Sequence, residues 1–188
     1  MTANIFTLTL TLSQRMVSKV GSIRHKLFIL IVILSNSGFA CNGQHRAFAF
    51  QDAASQNISV QHLDSVYKMA VNVADTTQGV FQTEAEQEQL YNAYVTLLKD
   101  FNKFLKANDF RWEKPTRCFN RIYFKKDGTI DYFLYNFNIG NKPVDLISME
   151  RQTEFHRLLN LYIQDAKIAM TANVNFVQCS PATYMSKE

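Results

Sequence analysis

The chain is poor in the residues that mark the commonest small-site chemistries. Of its 188 residues only three are cysteine, and Cys41, Cys118 and Cys179 form no Cys-x-x-Cys pair or Cys/His cluster, which argues against a structural zinc site. The six glycines build no loop that could cradle a phosphate. No histidine lies beside a serine or cysteine in a hydrolase motif such as Gly-x-Ser-x-Gly. Asp127-Gly128 starts no calcium loop, because no series of oxygen ligands and no distal Glu follows it. Internal repeats and low-complexity tracts are absent. So is an apolar run long enough to span a bilayer, which takes about 20 residues for about 30 Å of hydrocarbon. The run Leu27-Phe28-Ile29-Leu30-Ile31-Val32-Ile33-Leu34 has eight.

That short run has informative flanks. Lys19, Arg24, His25 and Lys26 precede it, and Ser35-Asn36-Ser37-Gly38-Phe39-Ala40 lead out of it to Cys41. A basic segment, an apolar segment and a small-residue exit make an export signal over residues 1–40. The competing reading, a buried core segment, leaves both flanks unexplained. Counted from Met16 the basic region is short, so translation is expected to start there. Gly38 and Ala40 stand three and one residues before a cut ahead of Cys41. The same cut leaves Cys41 first, where a bacterial lipoprotein carries its diacylglyceryl group. The segment resembles a lipobox, although Phe39 and Gly38 stand where a small residue and a Leu are usual. The expected location is the periplasm or outer membrane, with the chain lipid-anchored through Cys41 or secreted.

Lipidation of Cys41 leaves Cys118 and Cys179 as a possible disulfide in an oxidising compartment. Two buried free thiols are the alternative. Four of the 20 Lys and Arg residues precede Cys41 and none of the 16 Asp and Glu does, so the remainder is electrically balanced. Nothing global in it points to nucleic acid or an anionic surface. Its length, about 150 residues, suits one domain. The 15 Phe and 8 Tyr of the whole chain are enough for one core.

Residues 41–57 are rich in Gln, Ala and Asn and are expected to form a flexible tether. A single domain is expected over 58–184, with a frayed tail at 185–188. Ser59 caps an expected helix to about Ala74, with Leu63, Val66, Tyr67, Ala70 and Ala74 on one face. The spacing predicts a longer helix over Thr83 to Lys106. Thr83 and Glu86 make a capping box, acidic residues crowd the first turns, and Leu90, Tyr94, Leu97, Leu98, Phe101, Phe104 and Leu105 form an apolar stripe. Cys118 to Phe124 and Thr129 to Phe137 read as a hairpin around a type I′ turn at Asp127-Gly128. That register pairs Tyr123 with Tyr132 and Ile122 with Phe133, and it points Cys118 inward. Ser148 caps a third helix, and Asn173 to Cys179 is a short strand ended by Pro181. The order helix-helix-strand-strand-helix-strand predicts an α+β fold with helices on one face of a small, mostly antiparallel sheet.

From Arg121 to Val177, the aromatic strand Arg121-Ile122-Tyr123-Phe124, the Asp127-Gly128 turn followed by Thr129-Ile130-Asp131, and the helix from Ser148 give a hairpin–helix–strand order. That order resembles the C-terminal domain of TonB-type energy transducers. The resemblance covers about a third of the chain. It implies that architecture and a capacity to bind peptides or proteins, and no particular functional residues. The whole chain is also similar in plan to small bacterial lipoproteins.

Basic residues cluster among aromatics from Arg111 to Lys126. Trp112, Arg117, Arg121, Lys125 and Lys126 are candidate residues for an acidic peptide, lipid head group or glycan. A nucleic-acid strand fits poorly with export and a balanced charge. Lysines on a hairpin edge also simply discourage edge-to-edge pairing. No metal or cofactor is expected. The leading expectation is a non-enzymatic envelope protein that binds a protein or peptide through the hairpin or a sheet edge. The rival is an exported hydrolase whose site is assembled from dispersed residues such as Trp112, Arg121, Asp131 and His156.

Overall fold

A computed structural model describes residues 45–137 and 147–184, all within one compact unit, Gly43–Glu188. The expected export signal, the Met16 start, Cys41 and the 185–188 tail lie outside the described residues.

In chain order the elements are β1 (Arg46–Ala49), two 3-10 turns (Phe50–Asp52 and Ala54–Gln56), α1 (Val60–Val66), β2 (Lys68–Met69) and a third 3-10 turn (Thr76–Gln78). Then come α2 (Glu84–Ala107), β3 (Thr116–Phe124), β4 (Ile130–Asn136), α3 (Met149–Tyr162) and β5 (Phe176–Tyr184). The five strands form one sheet in the order β1-β4-β3-β5-β2. The central pairings, β3 with β4 and β3 with β5, are antiparallel, and both rim pairings are parallel. The class is α+β.

Side-chain alternation along β3 explains the layering. Cys118, Ile122 and Phe124 point to the face covered by α2 and α3, where Phe101, Leu105, Phe155, Leu158 and Leu159 are fully buried. Burying one such Phe or Leu contributes roughly 2–3 kcal/mol. Tyr123 points to the opposite face and packs with Phe48, Leu63, Tyr67, Tyr132, Leu134 and Val177. The two long helices thus share one face, and α1 with the first 3-10 turns covers the other.

The ends of α2 are specified locally. Thr83 accepts from the Glu86 amide and the Glu86 carboxylate accepts from the Thr83 amide, completing the capping box. At the other end Asp109 adopts φ +60°. The Phe110 amide then reaches the Leu105 carbonyl at 3.0 Å and the Asp109 amide reaches Lys106 at 3.2 Å, a Schellman closure without glycine.

Several elements differ from expectation. The stretch read as a tether holds β1, with Ala47, Phe48 and Ala49 buried, so the sheet begins well before residue 58. The helix after Ser59 stops at Val66, because Tyr67 turns extended and the Lys68 and Ala70 amides bond to the Asn175 and Val177 carbonyls of the strand region opposite. Val66 is therefore half exposed, and Ala70 lies in the other core from Leu63. β5 runs through Pro181 to Tyr184. The Val177 carbonyl points away from β3 to Ala70, so by alternation Pro181 also turns its nitrogen away from β3, where no ladder amide is needed.

The hairpin register is as expected at Tyr123↔Tyr132 and Ile122↔Phe133, but the turn is not type I′. At the tip only Gly128 has positive φ, +83°. Its amide closes a four-residue turn onto the Lys125 carbonyl at 2.9 Å, and Asp131 is the extra residue of a bulge between Tyr123↔Tyr132 and Phe124↔Ile130. The tip is braced from outside. Gly128 O accepts from the Ile168 amide at 3.0 Å, and Lys126 O accepts from Ala172 at 2.9 Å. A Cβ on Gly128 would lie 2.6 Å from both the Ile168 and Met170 carbonyl oxygens. Gly128→Ala is therefore expected to cost roughly 2–4 kcal/mol, combining backbone strain and displacement of the brace. Urea denaturation of the two proteins measures it, and a loss under about 0.5 kcal/mol would contradict the brace.

Candidate functional site

A trough on the described surface runs between α2 and the outer half of β5, with a volume of about 500 Å³. Leu98 lines it from α2, and Pro181 and Thr183 line it from β5. Its deepest side chains, Tyr94 and Tyr184, are buried and tied from below. Asn120, fully buried on β3, donates from Nδ2 to the Tyr94 hydroxyl at 3.3 Å and to the Tyr184 hydroxyl at 3.4 Å, while its Oδ1 accepts from the Cys118 thiol at 3.2 Å. The Tyr184 ring stacks on Trp112 with centroids 5.0 Å apart. Burial pushes the Tyr94 phenol up to about 12, so both tyrosines stay neutral and keep their bonds.

The rim of the trough is charged in one sense. Lys99, Lys103 and Lys106 line it, and no carboxylate or histidine does. Lys99 and Lys103 are exposed, and Lys103 also meets Asp100 at 3.0 Å on its own helix. Tyr91 closes one end with two-thirds of its side chain in solvent. A rigid floor with both aliphatic and aromatic side chains, a strand edge that β2 pairs only at Phe176 and Val177, and a basic rim suit an extended chain with acidic and apolar side chains.

The opposite face carries a second polar group of residues. Tyr67, whose phenol is held well above its ordinary value by burial and then by its bond to Asp131, donates to Asp131 Oδ2 at 2.5 Å. Lys125 lies 3.8 Å from the other oxygen of Asp131. Nearby, Arg121 pairs with Asp64 and donates from Nε to the Tyr123 hydroxyl at 2.8 Å, and that hydroxyl donates to Asp64 at 2.9 Å. The Tyr67 and Tyr123 rings meet edge to face at 5.1 Å. The network pins α1 to the sheet, and its cations are spent on neighbouring carboxylates.

The five candidate residues from the sequence do not form one site. Trp112 is 5% exposed, packed against Phe110, Phe137, Phe155 and Tyr184, and belongs to the core. Arg121 and Lys125 serve the network on the second face. Arg117 is exposed at the start of β3, and Lys126 is exposed at a tip whose backbone is occupied. The residues proposed for a dispersed hydrolase site are also apart. Trp112 lies in the first core, Arg121 and Asp131 lie on the second face, and His156 sits at the β1 rim. Among the described residues no group of three His, Cys, Asp or Glu side chains could hold a metal ion. Asn120 was missed, although one signal for it exists: it is the single polar amide among the inward residues of β3.

The expected Cys118–Cys179 disulfide is corrected: both thiols are free. Cys118 packs on the helical face and Cys179 on the face of α1, so the sheet itself separates them. Burial raises both thiols, and Arg121 partly offsets this at Cys179. Alkylation of the native protein is expected to modify half-exposed Cys179 at least tenfold faster than Cys118, with Cys118 reacting only on unfolding. Mass spectrometry without reductant checks both, and a species two hydrogen atoms lighter would refute the free-thiol assignment.

Comparison with known protein families, with curated proteins and with solved structures finds no match to the chain.

Proposed function

We propose that this chain is an exported, non-enzymatic binding module, anchored at the cell envelope through Cys41, that holds an extended acidic segment of a partner protein in the trough between α2 and β5. The observation that carries this reading is the trough itself, with a floor fixed by Asn120 and ionisable rim residues that are lysines. The export signal and the lipobox-like exit supply the location. Three further features favour a binder over a catalyst. The lining of the trough holds no carboxylate, histidine or cysteine, the residues of the dispersed site lie apart, and the core beneath is filled. Pro181 limits how the partner binds. It has no amide for an added strand, and its carbonyl already accepts from the Ser180 hydroxyl at 3.2 Å, which discourages sheet-to-sheet polymerisation while side-chain contacts set the specificity.

The test uses two fluorescent decapeptides of equal apolar content, one carrying four Glu and the other four Lys, titrated against the domain. The acidic peptide is expected to bind, more weakly as salt rises, and the basic one not to bind. Lys99→Glu with Lys103→Glu is expected to weaken binding about fivefold or more, from roughly 1 kcal/mol of exposed charge interaction, with an unchanged circular dichroism spectrum. Equal affinity for both peptides, or an unaffected double variant, would defeat the reading. Export is tested separately, by fractionating cells that produce the wild type and Cys41→Ser. Protein in the cytosol with its leader attached would defeat the envelope location without touching the trough.

A further inference from the structure

Two side chains meet the outer backbone at the β1 rim: Gln164 donates from Nε2 to the His45 carbonyl at 3.1 Å, and Asn160 holds Ala47. β1 pairs with β4 on its inner side, in the register Arg46↔Tyr132 to Ala49↔Tyr135. On its outer side Asn160 of α3 accepts the Ala47 amide at Oδ1, 2.9 Å away, and donates from Nδ2 to the Ala47 carbonyl at 3.2 Å. These two bonds fix the amide orientation, because the reverse would set donor against donor and acceptor against acceptor. The same Nδ2 donates to the His156 carbonyl at 3.0 Å and lies 3.2 Å from His156 Nε2. Nδ2 has two hydrogens for these three acceptors, and an N–H on Nε2 would meet it donor against donor, so the contact favours a neutral ring whose Nε2 lone pair faces Nδ2. The single proton of the neutral ring then sits on Nδ1, 3.3 Å from the Tyr135 hydroxyl, which accepts it.

We propose that His156 and Asn160 form a proton-controlled latch on β1. With the ring neutral, Asn160 holds both outward backbone groups of Ala47. With the ring protonated, Nε2–H faces the amide Nδ2 at contact distance, donor against donor, and Asn160 leaves Ala47. The Ala47 amide and carbonyl are then open to pairing with an added strand.

The surroundings set the direction of the response. His156 lines a polar pocket with Tyr135 from β4, Arg46 from β1 and Asp52 from the turn after β1, and Arg46 and Asp52 are the charged side chains in its lining. On its own helix, Glu154 and Arg157 pair with each other at 2.7 Å. Burial lowers the affinity of the ring for a proton, and the Asp52 charge only partly restores it, so the ring titrates below the usual imidazole range. A site more easily protonated when unfolded favours the folded state fully above about pH 6.5 and loses that contribution as the pH falls through the folded value.

Amide hydrogen exchange of Ala47, corrected for intrinsic rates, tests the latch directly because its acceptor is Asn160. Protection is expected to fall at least tenfold between pH 7.5 and pH 5, following the His156 ring titration, while the Ile122 amide in the sheet centre stays protected. In His156→Gln, which cannot titrate, Ala47 protection is expected to be the same at both pH values. In Asn160→Ala it is expected to be low at both. Nitrogen-15 spectra of the wild-type ring at pH 7.5 are expected to show the Nδ1–H tautomer, a readout independent of whether the variants fold. An Nε2–H tautomer, pH-invariant protection of Ala47 in the wild type, or the same fall in His156→Gln would overturn the proposal.

Discussion

β3 bonds to β4 on one side and to β5 along all nine of its residues on the other, and both of its faces are covered. This double burial constrains everything around it. Each even residue must suit the helical core and each odd residue the second face, so a one-residue slip would drive Arg121 into the Phe101–Phe155 cluster. Polar groups on such a strand must bring their own partners. Asn120 does so with two tyrosine hydroxyls and a thiol, and Arg121 does so with Asp64 and Tyr123. The trough floor on one face and the anchorage of α1 on the other are consequences of how β3 satisfies Asn120 and Arg121.

The features legible in the sequence are those whose cause is local. The capping box and apolar stripe of α2 lie within one helix, and the hairpin register follows from a short turn, even though that turn closes at Gly128 and is followed by a bulge at Asp131. The rims were not legible. Ala47-Phe48-Ala49 is too short and too rich in small residues to announce a strand, and it finds its place through parallel pairing with a segment more than eighty residues away. β5 continues past Pro181 because its outer side there needs no amide, a condition that depends on where β2 ends.

The candidate site was misplaced for a related reason. The basic and aromatic residues from Arg111 to Lys126 are close in sequence, but a strand sends neighbours to opposite faces. Trp112 went to the core, Arg121 to the far face and Lys126 to a braced tip. Of the lysines that do share a surface, Lys99, Lys103 and Lys106, the sequence reading used only Lys106, as the end of a helix. Cys118 and Cys179 illustrate the same geometry: each is inward on its own strand, and the two inward directions are opposed.

The run from β1 to β2 works as a strap, laying one strand on each rim and crossing the second face through α1 between them. Its two ends have very different partners in time. β1 awaits β4 from the middle of the chain, and β2 awaits β5, which is made last. The portion of the domain that leaves the ribosome first is therefore the last able to settle, and a molecule caught half-made would expose Phe48, Tyr67 and the bare edges of the central hairpin together.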